Sequence, residues 1–70
     1  MIMMSKNIFE TTMNEIIVAL KEKGYNPYEQ LKGYISLGDN LYITRHNGAR
    51  EKIQKLDKEQ ISKYLREQGW

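Results

Sequence analysis

The sequence predicts a small all-α domain of three to four helices, and three observations carry that prediction. Apolar residues recur at helical spacing along most of the chain. Gly, Pro, Asn and Asp fall where helices should start and stop. The one stretch of β character, Leu41-Tyr42-Ile43-Thr44, is four residues long and has no second strand to pair with.

The first helix is expected over Asn7–Lys23, where Phe9, Met13, Ile16, Ile17 and Leu20 form one broad apolar stripe. Ser5 or Asn7 would cap its start, leaving residues 1–7 as a frayed N-terminal tail. Gly24 would end it, because Gly takes the left-handed conformation beyond a helix without steric cost. The second helix follows at once. Asn26 reads as its N-cap, Pro27 as its first residue and Glu29 as the third residue of a capping box. Its apolar positions are Tyr28, Leu31, Tyr34 and Ile35. Gly33 inside it weakens the helix by about 1 kcal/mol relative to Ala and leaves room for another backbone to approach closely.

Leu37-Gly38-Asp39-Asn40 closes that helix, and residues 41–44 read as an extended connector placing Leu41 and Ile43 in the core. Asn47 or Thr44 would cap a third helix carrying Ala49, Ile53 and Leu56. Asp57 with Gln60 would start a fourth, carrying Ile61, Tyr64 and Leu65 and ending before Gly69.

Composition sets limits on what such a domain can do. Seventy residues, 40% of them hydrophobic, make one domain with a thin core. The chain has no cysteine, so neither a disulfide nor a zinc thiolate can reinforce it, and a reducing cytoplasm fits. Stability then comes from tight helix packing or from a partner, so self-association is expected. Eleven Lys and Arg against nine Asp and Glu, a net +2, do not by themselves imply nucleic acid. No apolar run nears the roughly 18–20 residues that membrane insertion requires, and Met1–Met4 is too short for a signal peptide.

The residues that could carry chemistry are few. His46 is the only histidine and lacks ligand-spaced partners; Asp39 and Asp57 do not complete a metal set. No nucleophile stands beside a base, so neither an enzyme nor a cofactor is expected. Arg45 and Arg50 flank the helix start near Asn47, where they would hold a phosphate or pair with Asp39 or Glu51. Tyr25, Tyr28, Tyr34 and Tyr42 gather around the two turns, suited to an interface or to the edge of a thin core. Lys52, Lys55, Lys58, Lys63 and Arg66 are interleaved with Glu51, Asp57, Glu59 and Glu67, the pattern of a solvated face. A helix-turn-helix drawn from Pro27 to Leu56 makes a small nucleic-acid-binding helical domain the alternative reading, though nucleic acid is not the favoured partner.

The spaced run Lys21-Glu22-Lys23-Gly24-Tyr25-Asn26-Pro27, then Gln30, Gly33-Tyr34, Gly38-Asp39, Tyr42-Ile43 and Arg45-His46-Asn47-x-Ala49-Arg50 resembles the IreB family of regulatory phosphoproteins. The resemblance covers about residues 12–66 in one order, and six pieces in register make it specific. It implies a non-enzymatic, cytoplasmic, all-helical homodimer of the Gram-positive type. It also implies a substrate of a Ser/Thr kinase, reversed by a phosphatase, that modulates cell-envelope stress and cephalosporin tolerance through an effector the sequence does not name. Family members of this type carry phosphoacceptor threonines ahead of the first helix. Here that stretch holds Ser5 and no threonine, and Thr11 and Thr12 fall in the first turns; these three are the candidate phosphorylation sites. Gly48 stands where the family often has Asp, which removes a negative charge beside Arg45 and Arg50. Gly24, Tyr25, Asn26, Pro27, Tyr34, Tyr42, Arg45, His46, Asn47 and Arg50 are the family-signature or interface residues; the Gly, Asn and Pro among the signature read mostly as caps and corners, and Arg45, His46, Asn47 and Arg50 are expected at an exposed surface or the dimer interface.

Overall fold

Helix α1 spans Met4–Glu22 and is the longest element of the molecule. In the computed structural model, which describes residues 4–69, it begins three residues ahead of the expected Asn7. Residues 1–3 of the expected tail lie outside the described residues. Its end is a Schellman closure: the N–H of Tyr25 donates to Leu20 O at 2.9 Å and the N–H of Gly24 to Lys21 O at 3.0 Å. Gly24 adopts φ +85°, as this closure requires.

Helix α2 spans Pro27–Leu37. Asn26 Oδ1 accepts the N–H of Glu29 at 3.3 Å, and Pro27 occupies the first helical position, as its sequence predicts. Gly38, at φ +69°, ends the helix by donating to Tyr34 O at 2.9 Å.

Residues 40–44 are not a continuous extended connector. Asp39 Oδ1 accepts the N–H of Leu41 at 2.9 Å and winds Asn40–Tyr42 into a 3₁₀ turn. Ile43 at its end is extended (φ −107°, ψ 122°). The turn splits the expected pair of core residues: Ile43 is fully buried, whereas Leu41 is 69% exposed. A two-residue alternation would have buried both, but a 3₁₀ turn rotates Leu41 outward.

A second turn, His46–Gly48, precedes helix α3, Ala49–Gln54. Thr44 Oγ1 accepts the N–H of His46 at 3.1 Å, so Thr44 caps this turn and not the helix. Asn47 does not cap α3 either. It adopts φ +54° beside Gly48 at φ +71°, a left-handed pair that aims its side chain elsewhere. Helix α4, Lys58–Glu67, starts at the expected N-cap, with Asp57 Oδ1 accepting from Glu59 N at 2.9 Å.

The fold is all-helical among the described residues, with four helices in a body 36 × 23 × 19 Å. Its core joins Met13, Ile16, Ala19 and Leu20 of α1 to Leu31 and Tyr34 of α2, Ile43, Ala49 and Ile53 of α3, and Ile61 and Leu65 of α4. Helix α1 packs most extensively on α3, while α2 holds the first 3₁₀ turn and α4. Leu56 and Tyr64 are partly buried at the margin, the Tyr64 ring edge-on to Phe9 with centroids 5.9 Å apart.

Candidate functional site

Of the signature residues, Tyr42, His46, Asn47 and Arg50 lie in the corner formed by residues 38–50, which is bonded to α1 and α2. Four side chains fasten it. Gln30 Nε2 donates to Tyr42 O at 2.7 Å. Arg50 Nε donates to Ile43 O at 2.9 Å. His46 Nε2 lies 2.7 Å from Glu22 Oε1; a carboxylate only accepts, so the ring nitrogen is the donor. Asn47 Nδ2 donates to the same Oε1 at 3.3 Å. Gln30 and Arg50 thus satisfy backbone carbonyls that the irregular chain path would otherwise leave unpaired, while His46 and Asn47 tie the corner to the Glu22 carboxylate of α1.

Gln30 and Gly33 lie three residues apart on one face of α2, and both serve Tyr42. The Tyr42 ring rests on Gly33 so closely that a Cβ there would meet Cε1 at 2.7 Å and Cδ1 at 2.8 Å. The room that Gly33 provides is filled by a ring, not by a second backbone. Lys58, at the start of α4, lies over the Tyr34 ring at 5.3 Å from its centroid.

The predicted site residues therefore divide. Gly24, Asn26 and Pro27 form helix ends. Tyr34 is buried in the core, and Tyr42 is packed in the corner. His46, Asn47 and Arg50 bind within the chain, and Tyr25 and Arg45 remain on the surface. Among the described residues Arg45 and Arg50 form no ion pair with Asp39 or Glu51. Thr11 is exposed, Thr12 is half-buried, and Ser5 is the second residue of α1. Glu22 and Gln30 were not singled out by residue chemistry. Their presence inside the motif run is the one signal that marks them.

The described residues hold no group of three or more His, Cys, Asp or Glu that could bind a metal ion. No helix among them is long and apolar enough to cross a membrane. Of the basic side chains, Lys52 pairs with Glu15 at 3.1 Å, and Lys32 and Lys58 lie over tyrosine rings. The corner is thus a joint between α1, α2 and the turns, with Arg45 and Asn47 exposed on its surface.

Compared with models of known protein families, residues 3–68 match the IreB regulatory phosphoprotein. The chain belongs to the IreB family. The match spans all four helices and the corner between them, so the bonds that fasten residues 38–50 lie wholly inside the family region.

Proposed function

We propose that this chain is a non-enzymatic cytoplasmic regulator that works by protein–protein contact and is switched by a Ser/Thr kinase and a matching phosphatase. Membership of a family of regulatory phosphoproteins carries this reading. Its output, on the same grounds, is control of cell-envelope stress and cephalosporin tolerance.

Ser5 is the favoured phosphoacceptor. A kinase needs an extended substrate segment, and Ser5 is reached when only the first turn of α1 frays. Thr11 requires two further turns to open, and Thr12 is half-buried as well. The first turn of α1 has no acidic residue. A phosphate of about −1.5 to −2 charge there would complement the helix dipole.

The working form is a homodimer. The apolar side chains Ile8, Val18, Leu37 and Leu41 are each half exposed or more, against a core of eleven buried residues among those described. Leu37 and Leu41 bracket the turn at Gly38-Asp39, beside the fastened corner. A second copy of the chain covers them. Sedimentation equilibrium at micromolar concentration tests this: the expected mass is twice 8.3 kDa, reduced to the monomer by Leu37→Asp with Leu41→Asp. A monomeric mass for the unaltered chain would overturn the dimer.

A further inference from the structure

We propose that Asn47-Gly48 is a self-modification site, at which Asn47 deamidates spontaneously and thereby unfastens α1 from the corner. The chain has five asparagines, at positions 7, 14, 26, 40 and 47. Deamidation needs the next residue's backbone nitrogen to reach the asparagine Cγ. Ile8, Glu15 and Leu41 obstruct that approach with their side chains, and Pro27 has no N–H at all. Gly48 does neither. Asn47 is also exposed, so water reaches it.

The chemistry uses only solvent. Base removes the Gly48 N–H proton, and the nitrogen attacks Asn47 Cγ. The Cγ–Nδ2 bond breaks, and Nδ2 leaves as ammonia. Water then opens the five-membered succinimide at either carbonyl, giving aspartate or isoaspartate. One water enters and one ammonia leaves.

The structure sets both the rate and the consequence. The N–H of Gly48 donates to Arg45 O at 3.0 Å, so the nitrogen is released only when the turn opens. The Glu22–His46 and Glu22–Asn47 bonds hold that turn against α1. The rate therefore reports how often the corner opens. Once formed, a carboxylate at position 47 can no longer donate to Glu22 Oε1, and it sets a second negative charge beside the first. Isoaspartate adds a main-chain methylene to the left-handed pair at 47 and 48, which the turn cannot hold.

The test ages the folded full-length chain in neutral and in mildly alkaline buffer, followed by brief trypsin digestion corrected for a zero-time sample. Cleavage after Arg45 and Arg50 frees residues 46–50 as one peptide. The expected result is the mass gain of an NH₂-to-OH exchange in that peptide, faster in the alkaline buffer, with the other four asparagines unchanged. Glu22→Ala accelerates the gain and Asn47→Gln abolishes it. Absence of the gain, or equal gains at the other asparagines, would overturn the site. Side-chain NMR signals of Glu22 and His46 should shift in step with the gain; unchanged signals would overturn the unfastening.

Discussion

Tyr42 and Gly33 are in mutual contact across the junction of α2 with the first 3₁₀ turn, the ring occupying the space that a side chain at position 33 would need. The ring cannot simply swing aside. Its Cγ would also be 3.1 Å from the added Cβ, its carbonyl is held by Gln30, and the next residue, Ile43, is fully buried.

Gly33→Ala is therefore expected to destabilise the fold by about 1–3 kcal/mol through overpacking, outweighing the roughly 1 kcal/mol that Ala contributes to an α-helix. In a Tyr42→Ala background the same change becomes neutral or stabilising. Denaturant midpoints of the four proteins in this double-mutant cycle check it.

Ile43→Ala and Leu41→Ala should behave oppositely although they are two residues apart. Ile43 is fully enclosed by the core, and its truncation should cost about 2–5 kcal/mol. Leu41 is largely exposed, and its truncation should stay within about 0.5 kcal/mol in the monomer. Chemical denaturation at concentrations below association separates the two.

Arg50→Lys should destabilise the corner although the charge is kept. The Nε–H bond to Ile43 O depends on the planar guanidinium, and losing it leaves a partly buried carbonyl short of a donor. The expected cost is about 1–3 kcal/mol. Hydrogen exchange should quicken at residues 42–48 and remain unchanged in α4.

Tyr64 should titrate above the ordinary tyrosine value. Burial raises it first, and the carboxylate of Glu10 adds to the effect. The unfolded chain thus loses this proton before the folded one does. The stability linked to Tyr64 is complete below a pH of about 10 and is lost as pH rises through the raised folded value. Phenolate absorbance should show a late-titrating component that is absent in Tyr64→Phe, and that variant should lose less stability in alkali.

Much of the fold was legible from local chemistry. Gly24, Asn26-Pro27, Gly38 and Asp57 each act within a few residues, so their capping roles follow from position alone. The corner was less legible. The β-branched residues Ile43 and Thr44 suggested an extended chain, but the Asp39 side chain wins over propensity by closing a turn. The Asn47-Gly48 dipeptide did signal a left-handed pair, and reading Asn47 as a helix cap passed over it. The tie between Glu22 and His46 spans 24 positions and has no local signal, because tertiary packing of α1 on α3 creates it.

The most direct measurement is intact mass, followed by phosphosite mapping, of the protein purified from its native cells under cell-wall antibiotic stress. A regulator switched by a kinase should carry phosphate, first on Ser5 and then on Thr11 or Thr12. An unmodified mass under that stress would contradict phosphorylation as the switch.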